Sequence, residues 1–309
     1  MCGRGCRRIA ATLTVFALIA TPSSFALADE HRLSILSYNV HGLFRLAAKD
    51  RPRDRMPTIG WLANKYDVVL LQEDFEFPDV VAHQIQNAAS HRGNGMWGHP
   101  VLVLAKLVAF PFTFWVPRFS PPYGSGLTTH VPAEMDVADA VTRKPYDDCA
   151  GWVGSQLDCW ARKGFLRVRV RTPDGAEVDV YNTHIEAGSS KRSVRSRRHN
   201  FETLTRAIEK LSAGRAVVVG GDFNVDYSVP QDRETITQFR VRLGLEDSGA
   251  GPQLPVWRER DFLLFRSGIG AKITVESAGE ATEFVSGGRA LSDHPALYAQ
   301  LRVVRRPEQ

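Results

Sequence analysis

The chain has 309 residues, 43% of them hydrophobic and 24% charged, with a formal net charge of +5. That is enough apolar material for a large core, and it excludes a disordered chain or a scaffold held by disulfides alone. Most of the excess positive charge lies at the front of the chain, so the global balance does not identify an acidic partner.

Arg4, Arg7 and Arg8 precede an apolar run over 9–20, and Ala26-Leu27-Ala28 stands just before Asp29. A charged start, a short apolar stretch and an A-x-A site predict a cleavable secretory signal peptide over 1–28, and hence a periplasmic or secreted protein. An uncleaved anchor is the alternative, although the run falls short of the ~20 residues a spanning helix needs. The residue directly after Ala28 is Asp29 rather than Cys, which argues against a lipoprotein anchor. Cleavage would leave 29–309 as one domain, with 36 basic against 34 acidic residues and a charge near +2. Cys2 and Cys6 would leave with the leader, and Cys149 and Cys159 would remain. An even pair in an oxidising compartment predicts a disulfide. The other reading, two metal ligands, lacks a nearby Cys or His to complete a zinc set.

Along the rest of the chain, β-type runs occur at 33–39, 67–72, 165–171, 178–184, 216–220, 261–265, 272–275 and 296–303. Several are continuous Val/Leu/Ile stretches, as expected of strands buried on both faces. Helical patterns fall between them at 58–65, 79–89, 193–211 and 233–243, so strands and helices interleave in an α/β layered domain. The segment 101–119 is apolar and aromatic but broken by Pro111 and Pro117. It reads either as core packing or as an exposed loop that dips into a lipid surface.

Polar residues collect where the β runs end: SYNVHG at 37–42, LQED at 71–74, NTH at 182–184, GGDFN at 220–224, RD at 260–261 and SDHP at 292–295. Asn39, Glu73, Asp222 and Asp293 offer oxygen ligands without a Cys set, which favours magnesium or manganese. Such a metal, sharing a site with substrate phosphate oxygens, suits phosphoryl chemistry. His294 next to Asp293, if paired with Asp261, would have a fixed tautomer and act as a general base. His184 would donate to a phosphate oxygen or to the leaving group.

Taken in order, these motifs resemble the endonuclease/exonuclease/phosphatase superfamily over nearly all of 37–295. The resemblance implies a four-layered α/β/β/α sandwich, two mixed sheets face to face with helices outside and a cleft at one end. It implies Glu73 as principal metal ligand with Asn39 beside it, and Asp293 as a second carboxylate near the metal. It also implies Asp222 and Asn224 positioning water and phosphate, His294 as base and Asp261 orienting it. The reaction implied is in-line attack of water on a phosphodiester without a covalent intermediate.

Within the superfamily, Asp158 to Gly164 looks like the D-x-x-x-x-K-G motif of neutral sphingomyelinases, with Lys163 near the cleft and holding Asp158 or the phosphate. Tyr123-Gly124-Ser125-Gly126-Leu127 and Tyr181-Asn182-Thr183-His184 point to the same branch, so a lipid head group is favoured over nucleic acid. The span 262–291 has no Trp and lacks the aromatic hairpin of secreted bacterial sphingomyelinases; 101–119 is the candidate for peripheral membrane contact in its place. The alternative is an exported nuclease that tracks phosphates with Lys191, Arg192, Arg195, Arg197, Arg198 and His199, unless these form a solvated helix face. A silent, lipid- or partner-binding member is a remote third reading, and no obligate protein partner is implied.

Overall fold

The structure, a computed structural model, describes residues 30–43, 51–93, 124–151, 158–249 and 260–306; the leader, the 101–119 segment and Tyr123 lie outside the described residues. In chain order the first elements are β1 (Glu30–Asn39), α1 (Pro52–Ala63), β2 (Val68–Gln72), α2 (Pro78–Gln84), β3 (Ala88–Arg92) and β4 (Thr128–Pro132). Next come β5 (Asp136–Val137), β6 (Thr142–Pro145), the short α3 (Asp158–Ala161), β7 (Gly164–Arg171), β8 (Glu177–His184) and α4 (Lys191–Leu211). They are followed by β9 (Val217–Asp222), α5 (Pro230–Leu243), β10 (Glu246–Asp247), β11 (Asp261–Arg266) and β12 (Ala271–Glu280). A small hairpin, β13 (Val285–Ser286) and β14 (Arg289–Ala290), leads into β15 (Leu297–Arg305).

Two mixed sheets form. One runs β12-β15-β1-β2-β4-β3; the other runs β10-β11-β9-β8-β7-β5, with β6 also on β7. The parallel pairs are β1 with β2 and β8 with β9. Continuous apolar strands bury both faces because successive side chains point opposite ways. Ile35, Val68 and Leu70 face inward and meet Leu166, Val168, Val178, Val180, Val218 and Leu263 of the other sheet. Leu36, Tyr38, Val69 and Leu71 face outward onto Met56 and Ile59 of α1. On the far side, Tyr181, Val217 and Val219 pack against Phe201, Leu204 and Ile208 of α4 and Phe239 of α5. Each such side chain, fully buried, contributes about 1.5–3 kcal/mol. At Gly220 the sheets come so close that a Cβ would stand 2.6 Å from Leu70 Cδ1 and 2.7 Å from Leu263 Cδ2. The result is the four-layered sandwich.

Some elements differ from the sequence expectation. The pattern read as one helix over 79–89 divides: α2 stops at Gln84, and Ala88–Arg92 pairs with Thr128–Pro132 as an edge strand. Helix α1 begins at Pro52 rather than at 58, because proline is at home in a first helical turn. Strand β12 runs on to Glu280 through a register shift between Val275 and Ser277.

Cys149 and Cys159 are disulfide-bonded, with Cα atoms 5.3 Å apart, which sets aside the metal-ligand reading. Replacing both with Ser is expected to cost about 2–3 kcal/mol, seen as a lower midpoint in urea unfolding.

Two buried groups make stability pH-dependent in opposite senses. His130, fully buried on β4 with Nδ1 2.8 Å from Ser90 Oγ, is pushed by burial down to about 4. Asp74, buried and accepting from Thr128 Oγ1 at 2.8 Å, is pushed by burial up to about 6. Between its ordinary value and about 4, His130 binds a proton only when unfolded, so its contribution falls as pH falls. Between about 6 and its ordinary value, Asp74 holds a proton only when folded, so its contribution rises as pH falls. Urea unfolding at neutral pH and at mildly acid pH tests this. Relative to wild type, His130→Gln should gain and Asp74→Asn lose roughly 2 kcal/mol on acidification; identical responses would refute the assignment.

Candidate active site

The strand registers gather the polar residues at one end of the sandwich. Asn39 stands opposite Gln72, the residue before Glu73, while His184 and Asp261 both stand opposite Asp222. The two halves join through Asn39 Nδ2, which donates to Asp222 Oδ2 at 3.0 Å. Asp222 Oδ1 accepts the Asn224 amide at 2.9 Å, and Asn224 Nδ2 donates to the Ile185 carbonyl at 2.9 Å. Gly221 is required where it stands: its φ is 148°, and a Cβ would lie 1.9 Å from the Thr183 carbonyl oxygen.

Three non-glycine residues here occupy left-handed backbone: His41 (φ 47°), Glu73 (φ 55°) and Asn224 (φ 50°). Each costs on the order of 1 kcal/mol, offset by local hydrogen bonds. Gly42 N donates to the Glu73 carbonyl at 2.9 Å, and His41 N to Asn39 Oδ1 at 3.0 Å.

His294 Nδ1 lies 2.8 Å from Asp261 Oδ2, and its Nε2 lies 3.8 Å from Asp222 Oδ2. The dyad read from the sequence is therefore formed. Burial acts to lower the His294 imidazole, but the Asp261 hydrogen bond and the charges of Asp222, Asp261 and Asp293 outweigh it and raise it to about 9. Asp261 is pushed up by burial and by the charge of Asp222, against its bond to His294. Asp222 is the reverse case. Burial would raise it, but the facing His184 and the charges of His294 and Lys163 hold it below the usual carboxylate range.

His184 Nε2 lies 3.4 Å from Asp222 Oδ2 and 3.9 Å from Glu73 Oε1, while its buried Nδ1 has no hydrogen-bond partner among the described residues. Glu73, His184 and Asp222 each bring a ligand atom to within 4.8 Å of the others; Asp222, Asp261 and His294 do the same. The second set contains the closed His294–Asp261 pair, so the first is the better fit for a metal, and its two carboxylates suit magnesium or manganese. Asn39 borders this group, but its Oδ1 already accepts from His41.

The sequence reading gave His41 no role. Its Nδ1 is 3.1 Å from Asp293 Oδ1 and 3.8 Å from Glu73 Oε2. His41 is the chief cause that pulls Asp293 down to about 2. Ser292, quoted within SDHP but given no part, donates from Oγ to the Asn39 carbonyl at 2.7 Å.

Lys163 is buried behind this group, with Nζ donating to the Ile185 carbonyl at 3.1 Å. The reading of Asp158 as its partner falls on a side chain outside the described residues. The basic cluster on α4 is not one surface. Lys191, Arg192, Arg195, Arg198 and His199 are exposed, but Arg197 is buried and ion-paired to Asp232 at 2.8 Å. Arg197 therefore cannot track a phosphate chain. No helix among the described residues is long and apolar enough to cross a membrane.

Comparison with known proteins gives three findings. The profile of the Endonuclease/Exonuclease/phosphatase family matches residues 36–294. A sphingomyelinase of Mycobacterium tuberculosis, and one of Mycobacterium bovis, is 31% identical over 306 residues, which is 93% of this chain and 55% of the relative. The chain thus spans about half the length of these relatives. Among solved structures, a beta toxin of Staphylococcus aureus with bound magnesium ions aligns with a TM-score of 0.61 at 14% identity, covering 87% of this chain and 99% of the toxin. Truncated TDP2 of Caenorhabditis elegans aligns with a TM-score of 0.56 at 16% identity, covering 87% of this chain and 97% of that one. At such identities the two structures speak to the fold alone.

Proposed function

The chain belongs to the endonuclease/exonuclease/phosphatase family, and on that premise we propose that it is an exported, magnesium-dependent phosphodiesterase of the sphingomyelinase kind, with 29–309 as its catalytic domain. The observation that carries the reading is the meeting of Glu73, His184 and Asp222 with the His294–Asp261 pair at one point. Magnesium, or manganese in its place, held by Glu73 and Asp222 with Asn39 and Asp293 at its border, would offset negative charge on the phosphate and departing oxygens. His294 takes the proton of the attacking water at Nε2. Asp261 accepts Nδ1–H, which fixes the tautomer and stabilises the imidazolium that forms. Asp222 and Asn224 orient water and phosphate for in-line attack, His184 donates to a phosphate or leaving-group oxygen, and Lys163 adds positive charge behind Asp222.

A lipid head group is favoured because the matched relatives are sphingomyelinases and because the D-x-x-x-x-K-G run is present. The exposed Lys191, Arg192, Arg195 and Arg198 support the second reading, a nuclease. Purified protein is incubated with magnesium against sphingomyelin–detergent micelles and supercoiled plasmid, with chelator and His294→Ala controls. Phosphocholine release dependent on metal and on His294 supports the first reading. Plasmid nicking with the same dependence replaces it with the second, and inactivity on both removes both substrate assignments. Peripheral membrane contact through 101–119 is a further part of the proposal: Trp115→Ser should then impair hydrolysis of vesicle lipid more than of a soluble short-chain substrate. Export predicts a mature N-terminus at Asp29, read by N-terminal sequencing.

A further inference from the structure

Two buried arginines outside the metal and acid/base set hold the backbone that carries it. Arg55, near the start of α1 and 8% exposed, donates through Nη1 to the carbonyls of Val40 and Leu291, the latter at 2.7 Å. Its Nη2 donates to the His41 carbonyl at 2.7 Å. With Ser292 on the Asn39 carbonyl, three successive carbonyls, Asn39, Val40 and His41, are fastened to the segment that runs into Asp293 and His294. The turn after β1 in its own right keeps Glu73 in place, through Gly42 N on the Glu73 carbonyl.

Arg197 does the equivalent in the other sheet. At 1% exposure it pairs with Asp232 through Nε (3.0 Å) and Nη2 (2.8 Å). Its Nη1 donates to the carbonyls of Glu186 at 2.8 Å and Gly188 at 3.1 Å, directly after His184. Asp232 Oδ2 also accepts the Asp226 amide at 3.1 Å, two residues beyond Asn224. A guanidinium suits this task, because it is permanently charged and its fork of donors holds several oxygens at fixed angles, as an ammonium does not.

We propose that Arg55 and Arg197 are positioning residues for the reaction assigned above, each tying together two of the loops that carry site residues. Arg55 joins the turn after β1 to the turn before β15, which bear Asn39, His41, Asp293 and His294. Arg197 joins the turn after β8 to the turn after β9, which bear His184 and Asn224. The inference rests on the proposed function for its kinetic consequence, since a displacement of about 1 Å in such a site costs on the order of a hundredfold in rate. Its structural part stands apart from that reading.

The test compares Arg55→Met, Arg55→Lys and Arg197→Met in the full chain with Arg167→Met. Arg167 is a buried arginine (2% exposed) that pairs with Asp179 at 2.8 Å within β7 and β8, and so serves as a destabilised control. Four quantities are read: urea midpoint, manganese affinity by calorimetric titration, kcat and KM on the active substrate, and amide hydrogen exchange. Arg55→Met should weaken manganese binding by about tenfold or more and lower kcat by about a hundredfold at little-changed KM, without rescue by Lys. Arg197→Met should lower kcat similarly and, because its turn bears His184 but not Glu73, weaken manganese binding less than Arg55→Met does. Exchange should quicken at Gly42 and His294 for Arg55 and at Glu186 and Asp226 for Arg197. Arg167→Met should lose stability with kcat and manganese affinity retained. The proposal is overturned if the Arg55 and Arg197 variants behave as Arg167→Met does, or if all three lose activity in step with stability. Should the wild-type chain neither bind manganese nor hydrolyse a phosphodiester, the functional reading fails; local exchange then decides the clamps alone, and its absence at those amides sinks them.

Discussion

Glu73→Gln should lower turnover by at least about a hundredfold, or about 3 kcal/mol of transition-state stabilisation, and weaken manganese binding in parallel. The side chain keeps its size, and the backbone bond that fixes the turn comes from Gly42 N to the Glu73 carbonyl, which the substitution leaves alone. Only a carboxylate charge is withdrawn from a group that includes His184 at 3.9 Å and, through it, Asp222. The fold should therefore survive, with an unchanged urea midpoint, while the chemistry does not. A variant with wild-type turnover and metal affinity would remove Glu73 from the site.

His294→Ala should be as damaging, by about a hundredfold to ten-thousandfold, and the pH profile carries more information than the rate. Carboxylates around the imidazole keep it protonated to about 9, and a base must first be empty of its proton. Activity should accordingly rise with pH along a limb set by this pair. Asp261→Asn withdraws a charge that holds the proton on and leaves at most a neutral, weaker hydrogen bond at Nδ1, so the limb should move to lower pH even as the maximum rate falls. A limb that stays put or moves upward in Asp261→Asn would show that another group governs it. Saturating magnesium beside Asp222 should move the wild-type limb the same way, since it offsets one of the charges that raise His294.

What the sequence could disclose followed from how local its physical cause was. Strands β2 and β9 were legible because burial on both faces writes an unbroken apolar run. Strand β3 was not, because Ala88-Ala89-Ser90-His91-Arg92 has the composition of a helix end and becomes a strand only by pairing with β4. In the site, Glu73, Asp222 and His294 stand against strand ends and could be read as chemistry. His41 could not, since its place depends on a left-handed turn that brings it to Asp293 near the other end of the chain. Arg197 is the sharpest instance. It sits among five basic neighbours of similar character, and only Asp232 on α5 separates a buried clamp from a solvated cation.

The hydrogen bond from Asn39 to Asp222 crosses from one sheet to the other, and near it Gly220 leaves Leu70 and Leu263 almost no slack. The candidate site is thus a seam, with half its groups on each side. Its alignment is inherited from how the two sheets are stacked, so the hydrophobic interior acts as the jig that sets the reacting distances. Changes in that interior that are tolerable for folding can still be intolerable for turnover, and heat that loosens the stacking should silence the enzyme before it unfolds it.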